Sequence, residues 1–148
     1  MLQITGILET SLYVADLDRA AKFYEGLFGF PVMFSDERLC AMAVAGREVL
    51  LLFKRGASNH PLPLSRGRSS SGQSEGAQFL PAHDGSGQYH LAFSISGDEL
   101  PQWEALLAAK KVAIESRIHW ERGGTSIYFR DPDQNLVELA TPGIWPVF

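Results

Sequence analysis

The stretch TSIYFRDPDQNLVELATPG, residues 125–143, is the most informative part of this chain of 148 residues. It contains two strand-like segments, TSIYFR and NLVELAT, on either side of a short polar segment. That segment carries Asp-Pro and Gln-Asn, which favour a tight turn. Glu138 interrupts the second apolar run, and a buried carboxylate there would need a partner because an unpaired buried charge is costly. The stretch predicts two strands joined by a turn, with a candidate functional carboxylate.

These strands end a series that begins at residue 88. QYHLAFSIS, residues 88–96, has strand periodicity, and GDELPQWEALLAAKK, residues 97–111, has the composition of a helix. VAIESRIHW, residues 112–120, predicts the next strand, so the second half reads as βαβββ. His90 shares a strand face with Ala92, Ser94 and Ser96. An imidazole at that place is either a structural histidine or a ligand for a metal.

The first half of the chain repeats this order. A strand in ILETSLYV, residues 7–14, precedes helical spacing in DLDRAAKFYEGLFG, residues 16–29. FPVMFS, RLCAMAVA and REVLLLFK predict three further strands, with a hairpin turn at residues 45–47. Residues 56–87 are rich in Gly, Ser and Pro and predict a long loop.

The repeat predicts an α+β fold of two βαβββ modules whose eight strands, in a pseudo-two-fold arrangement, form a half-open cavity. We expect a single domain over residues 1–148, with module one at 4–55, the loop at 56–87, module two at 88–143 and a tail at 144–148. Overlay of the two modules places Glu9 opposite His90 and Leu51 opposite Glu138.

Composition narrows the possible functions. The net charge of −4 argues against a nucleic-acid-binding surface. No apolar run approaches the roughly 20 residues that a membrane span needs. Cys40 is the only cysteine, which excludes an intramolecular disulfide and predicts a reducing, cytoplasmic location.

This pattern resembles the vicinal oxygen chelate superfamily, which includes glyoxalases, bleomycin resistance proteins and extradiol dioxygenases. The resemblance rests on VADLDRAAKFYEGLFGF, HLAFSI and SIYFRDPDQNLVELATPG. It implies that Glu9, His90 and Glu138 bind a divalent metal ion, with Leu51 at a fourth position that cannot bind one. A cation would also cancel the repulsion between two carboxylates on one wall. One imidazole with two carboxylates suits Mn, Mg, Fe or Zn, and the sequence does not choose among them.

The resemblance also suggests a chemistry. IHWERGGTSIYFRDPDQNLVE is similar to the extradiol dioxygenase pattern, in which a histidine and a tyrosine handle protons near the metal. The matching residues here are His119 and Tyr128. Arg117, Gln134 and Glu9 depart from that pattern. The leading interpretation is a metal-dependent enzyme with extradiol-like chemistry on a small oxygen-bearing substrate, such as an aromatic diol or an α-hydroxy carbonyl compound.

Three alternatives remain open at this point. A glyoxalase-like lyase or isomerase would use a ligating glutamate as the base, and a thiol transferase would need a cationic pocket. A metal-free drug-binding protein would instead need an aromatic groove. The residues expected to line the substrate pocket are Phe53, Phe93, Trp120 and Arg130. Many relatives pair as dimers, so a small-molecule substrate and a homodimer are the expected partners.

Overall fold

The computed structural model describes residues 1–64 and 78–148. The centre of the predicted loop, residues 65–77, lies outside these described ranges. The elements in chain order are β1 (Glu9–Val14), α1 (Leu17–Phe28), β2 (Val32–Ser35), β3 (Leu39–Val44), β4 (Glu48–Lys54), β5 (Leu62–Pro63), β6 (Phe79–Leu80), β7 (His90–Ser94), a 3₁₀ turn (Gly97–Glu99), α2 (Leu100–Ala109), β8 (Ile114–His119), β9 (Thr125–Arg130) and β10 (Leu136–Ala140).

The strands form two four-stranded sheets of the same topology, with the orders β1-β4-β3-β2 and β7-β10-β9-β8. In each sheet the first and last strands of a module lie side by side and run parallel. A small antiparallel pair, β5-β6, is formed within the predicted loop. The predicted fold class, α+β with two βαβββ modules, is confirmed.

The strand registers confirm the overlay of the two modules. Glu9 of β1 is aligned with Val49 of β4, so Leu51 lies two residues further along. His90 of β7 is aligned with Leu136 of β10, so Glu138 likewise lies two residues further along. Because side chains alternate across a strand, the equivalent positions lie on equivalent faces of their sheets.

Residues with positive φ form the hairpin between β3 and β4 and end the helix α1. Ala45 and Gly46 both have positive φ, at 48° and 72°. The amide of Arg47 closes this predicted hairpin by donating to the carbonyl of Val44 at 3.1 Å. Gly29, at a φ of 70°, ends α1 in a left-handed conformation, and its amide donates to the carbonyl of Glu25 at 2.9 Å.

The chain divides into two compact units, and the second comprises Asp18–Val32 and Gly87–Phe148. It therefore contains α1, although sequence order places this helix in module one. Both helices contribute to the core on one face of the second sheet. Its buried members are Leu27, Ile95, Leu100, Leu107, Ile127, Phe129, Val137 and Leu139.

A buried polar network joins α1 to the turn between β9 and β10. The hydroxyl of Tyr24 donates to Asp131 Oδ2 at 2.9 Å, and the side-chain amide of Asn135 donates to the same oxygen at 2.8 Å. Asp131 Oδ1 accepts the backbone amides of Asp133 and Asn135 at 2.9 and 2.8 Å. The Asp-Pro turn read from the sequence is therefore also a docking point for a helix.

The first unit comprises Met1–Leu17 and Met33–Ser86. One face of its sheet is fully buried, through Leu12, Val14, Cys40, Met42, Leu50 and Leu52. The other face, here called the open face, carries Glu9, Ser11, Tyr13, Leu51 and Phe53. None of the helices within the described ranges is long and apolar enough to cross a membrane.

Candidate functional site

His90 and Glu138 form a hydrogen-bonded pair on the polar face of the second sheet, which is the face opposite the helices. His90 Nε2 lies 3.0 Å from Glu138 Oε2. The strands β7 and β10 bring them together because both residues occupy the same strand parity in a parallel pair. Side-chain exposure is 6% for Glu138 and 53% for His90. A buried carboxylate is thus partnered by an imidazole that solvent and ligands can reach.

Tyr128 completes a cluster with this pair. It lies directly opposite Glu138 in the antiparallel register of β9 and β10, and its ring centroid is 6.2 Å from that of His90. Burial is the largest influence on the pKa of Tyr128 and raises it. The interaction with Ser126 lowers this pKa, and the interaction with the Glu138 carboxylate raises it. The net raised pKa keeps the phenol protonated, so Tyr128 is a hydrogen-bond donor at neutral pH and not a base.

Ser126 and Trp120 extend the polar face beyond the cluster. The indole Nε1 of Trp120 donates to the hydroxyl of Ser126 at 2.8 Å. Ser126 is fully buried, although it is a hydroxyl residue in an apolar strand. Sequence reasoning did not select Ser126 as a site residue. The sequence feature that could have identified Ser126 is its strand parity, because it shares a face with Tyr128. A buried hydroxyl on that face also needs a hydrogen-bond partner.

The donor set of His90 and Glu138 fits two ligands of a divalent cation. An imidazole nitrogen with a carboxylate oxygen suits first-row metals and Zn²⁺. Glu9, the third predicted ligand, is exposed on the open face of the first sheet and belongs to the other unit. Across residues 1–64 and 78–148, no group of three or more His, Cys, Asp or Glu side chains that could hold a metal is formed. The role of Glu9 stays a prediction.

His119 lies away from this cluster, which corrects its predicted role beside Tyr128. In the register of β8 and β9 it is aligned with Thr125, and its Nδ1 lies 3.0 Å from the Thr125 hydroxyl. Thr125 has the parity of the helix-facing residues of β9, whereas Tyr128 has the opposite parity. The pairing of β8 also shifts register between Ile114 and Ser116. Sequence spacing alone therefore placed His119 on the wrong face.

Three of the four predicted pocket residues belong to the second unit, where they lie on two different faces of the sheet. Phe93 packs in the core of the second unit, with ring centroids 4.9 Å from Phe28 and 5.4 Å from Phe30. Phe53 belongs to the first unit. Trp120 and Arg130 both lie on the polar face side of the second sheet, and Arg130 Nε contacts Glu115 Oε2 at 3.1 Å. Phe93 is accordingly a core residue, because its strand parity is opposite to that of His90.

Comparison with known proteins extends this description. The family model of the Glyoxalase/Bleomycin resistance protein/Dioxygenase superfamily matches residues 6–139. The chain is similar to the metallothiol transferase FosB of Lysinibacillus sphaericus, with 27% identity over 130 residues, covering 86% of this chain and 76% of the relative. It is 40% identical over 57 residues to the FosB of Bacillus licheniformis, covering 38% of this chain and 37% of that protein.

Solved structures show the same similarity. Lactoylglutathione lyase from Agrobacterium tumefaciens superposes with a TM-score of 0.79 at 28% identity, covering 97% of this chain and 98% of that one. The fosfomycin resistance protein FosX of Listeria monocytogenes superposes with a TM-score of 0.65 at 20% identity, covering 96% and 97% of the two chains. At that identity, the second likeness supports the fold alone.

Proposed function

Because the chain belongs to the Glyoxalase/Bleomycin resistance protein/Dioxygenase superfamily, we propose that it is a metal-dependent lyase or transferase acting on a small thiol-containing substrate. The names of two relatives, a metallothiol transferase and a lactoylglutathione lyase, both refer to thiol chemistry. These relatives favour lyase or transferase chemistry over the extradiol ring cleavage that the sequence pattern suggested first.

The observation that carries the proposal is the cluster of His90, Glu138 and Tyr128 on one face of the second sheet. Its geometry supports a binding centre, because an imidazole nitrogen and a buried carboxylate oxygen lie 3.0 Å apart with a phenol aligned opposite. A purely structural ion pair would not require a half-exposed imidazole. We propose His90 Nε2 and Glu138 Oε2 as ligands of a divalent cation, which would polarise a substrate oxygen as a Lewis acid.

The remaining chemistry is assigned to the chain's own residues. Tyr128 keeps its proton and donates a hydrogen bond to an oxygen of the substrate on which negative charge develops. Glu138 lies directly opposite Tyr128 in the register of β9 and β10, and its charge helps to raise the pKa of the phenol. Ser126 shares the strand face of Tyr128, and its hydroxyl accepts a hydrogen bond from Trp120 Nε1 at 2.8 Å. Arg130 lies on the same strand face, but its guanidinium is already paired with Glu115 and its Nη1 donates to the carbonyl of Gln134 at 3.1 Å.

We also propose that two copies of the chain associate. The supporting observation is β2, an edge strand of the first sheet. It exposes the apolar side chains of Val32, Met33 and Phe34. An apolar edge strand is a surface that proteins usually cover, because its unpaired backbone groups invite another strand.

The test of the proposed function is an activity assay on metal-stripped protein reloaded with Mn²⁺, Fe²⁺, Zn²⁺ or Mg²⁺. One arm follows the interconversion of S-lactoylglutathione with its precursors, and a second follows loss of free thiol in the presence of fosfomycin. We expect metal-dependent turnover in one arm, its loss in Glu138→Gln, and its retention in Glu121→Gln, which alters an exposed glutamate of the same unit. Turnover that is absent with every metal, or unchanged in Glu138→Gln, would contradict the proposal.

A third arm separates the alternative chemistry. Catechol with Fe²⁺ and oxygen reports extradiol ring cleavage by a change in absorbance. We expect no cleavage. Cleavage of catechol without activity in the thiol arms would restore the dioxygenase interpretation.

A further inference from the structure

His90, a proposed metal ligand, is the first residue of its strand β7. Residues 81–89, which precede it, form no helix or strand. A segment without regular structure does not fix the direction of the next side chain by itself, because it has no ladder of backbone hydrogen bonds. The contacts of Tyr89, the last residue before β7, therefore bear directly on how His90 is placed beside Glu138.

Two consecutive residues at the start of β10 hold both backbone polar groups of Tyr89. The amide of Tyr89 donates to the side-chain Oδ1 of Asn135 at 3.0 Å, and its carbonyl accepts the amide of Leu136 at 2.7 Å. Leu136 is also the residue aligned with His90 in the parallel register. The bond to Leu136 joins two backbones, whereas the bond to Asn135 depends on one side chain and can be removed by substitution.

The carboxylate of Asp131 fixes the orientation of the Asn135 amide. Nδ2 of Asn135 donates to Asp131 Oδ2 at 2.8 Å, and the reversed amide would set two oxygens against each other. Oδ1 of Asn135 must therefore face the amide of Tyr89. Asn135 is fully buried and Asp131 is 2% exposed, so both bonds are made in a medium where hydrogen bonds are strong.

A second donor to the same carboxylate provides a natural comparison. The hydroxyl of Tyr24 donates to Asp131 Oδ2 at 2.9 Å, and Tyr24 is also fully buried. Removing either side chain's donor deprives one buried oxygen of one hydrogen bond. Asn135 in addition accepts the amide of Tyr89. The comparison of these two residues therefore separates a role in stability from a role in placing His90.

We propose that Asn135 is a positioning residue for the metal centre, because its bond to the Tyr89 amide fixes His90 beside Glu138 so that both can bind one cation. The inference rests on the proposed function, which makes His90 and Glu138 metal ligands. Metal affinity depends on the contacts that hold the ligands in place before the ion arrives. His90 is 53% exposed at the start of its strand, so loss of a contact beside it frees a side chain that solvent already reaches.

The test is titration of metal-stripped wild type, Asn135→Ala and Tyr24→Phe with Co²⁺, followed by visible absorbance. Co²⁺ accepts imidazole and carboxylate ligands, and its absorbance reports their geometry. We expect Asn135→Ala to weaken Co²⁺ binding about tenfold or more and to alter the spectrum, and Tyr24→Phe to change affinity by less than about twofold. Both variants are titrated at a temperature at which circular dichroism shows them folded. Unchanged binding and spectrum in Asn135→Ala, or an equal loss in both variants, would overturn the proposal.

A second measurement needs no metal. Long-range proton–nitrogen NMR spectra report the tautomer and the hydrogen bonding of each imidazole. His90→Ala identifies the signals of His90 among the four histidines of the chain. We expect these signals to shift in metal-free Asn135→Ala and to stay in place in Tyr24→Phe. Signals of His90 that are the same in wild type and Asn135→Ala would show that Asn135 does not position this ring.

Hydrogen exchange of the wild-type protein keeps the inference testable if Asn135→Ala does not fold. We expect the amide of Tyr89 to exchange about 100-fold or more slowly than in an unstructured peptide, because its acceptor is a buried side chain held by a buried carboxylate. Such protection would sustain the contact on which the proposal depends. Exchange at the unstructured rate would contradict it.

These outcomes separate failure of the inference from failure of the proposed function. A wild-type protein that binds no Co²⁺ would contradict the proposed function, and the imidazole signals would then decide whether Asn135 positions His90 beside Glu138. Wild-type binding of Co²⁺, with affinity, spectrum and His90 signals all unaffected by Asn135→Ala, would leave the proposed function standing and overturn the inference.

Discussion

Tyr128 keeps its proton through neutral and mildly alkaline pH, because burial and the Glu138 carboxylate raise its pKa above the ordinary value of 10.0. We expect Tyr128→Phe to lower kcat by about 10- to 100-fold, since a donor to the developing oxyanion is lost. Metal content should not change, because the phenol is not a proposed ligand. Steady-state kinetics with metal analysis of the same samples makes the measurement.

The pH dependence of activity provides a second test of the role of Tyr128. The raised pKa means that Tyr128 ionises only above pH 10.0, so it should contribute no loss of activity at lower pH. Wild type and Tyr128→Phe should therefore show the same profile shape below pH 10.0. A variant with wild-type kcat, or one that loses its metal, would contradict the assigned role. His119→Gln is the matched control, and we expect near-normal kcat because His119 bonds to Thr125 on the other face.

At the residue scale, the sequence could predict what strand parity decides. The family resemblance grouped His90 with Glu138, and the parallel register of β7 and β10 gives these two residues a shared face. His119 was placed by its spacing from Tyr128 along the chain. Its face depends on which residue of β9 it meets after a shift in register, and that shift leaves no signal in the sequence.

The helix α1 depends on a hydrogen bond from Tyr24 to the turn between β9 and β10. Tyr24 is fully buried, and its hydroxyl donates to Asp131 Oδ2 at 2.9 Å. We expect Tyr24→Phe to lower the free energy of unfolding by about 1–3 kcal/mol at neutral pH, because a buried carboxylate oxygen loses a donor. Urea unfolding measures this. Tyr13→Phe, which removes a hydroxyl from an exposed hydrogen bond, should cost less than about 0.5 kcal/mol.

The dependence of stability on pH tests the same contact. Burial raises the pKa of Tyr24 well above 10.0, and the charge and hydrogen bond of Asp131 raise it further. The contribution of Tyr24 is therefore fully present below pH 10.0 and declines as pH rises further, because the unfolded chain ionises first. Tyr24→Phe should flatten this alkaline decline. An equally steep decline in the variant would show that another group causes it.

The placement of α1 was beyond what the sequence could provide. Its apolar periodicity correctly predicted a helix ending at Gly29, since periodicity and a glycine at positive φ are local signals. Which sheet the helix packs against depends on contacts between residues far apart in the sequence. Its contacts with Asp131 and with Phe129 join residues separated by more than half the chain.

Association of two copies would cover the exposed edge strand β2. Phe34 is 54% exposed on this strand. We expect wild type to sediment as a dimer and Phe34→Lys to shift toward monomer, because a charge on an edge strand opposes pairing with another strand. Phe79→Lys, which adds the same charge at an exposed position of the β5-β6 pair, should leave the assembly unchanged. A monomeric wild type, or dimers in Phe34→Lys, would argue against this interface.

The proposed metal site is tested by titrating metal-stripped protein with Mn²⁺, Fe²⁺, Zn²⁺ and Mg²⁺, using calorimetry with elemental analysis of the loaded protein. We expect about one ion per chain for at least one of these metals, because the proposed ligands His90 and Glu138 would supply a nitrogen and an oxygen. Glu138→Gln and His90→Ala should weaken binding by about 100-fold or more, and Glu121→Gln should not. Glu9→Gln, measured alongside, reports whether the family resemblance correctly named a third ligand. Binding that is absent with all four metals, or that is unchanged in both Glu138→Gln and His90→Ala, would contradict the proposed metal site.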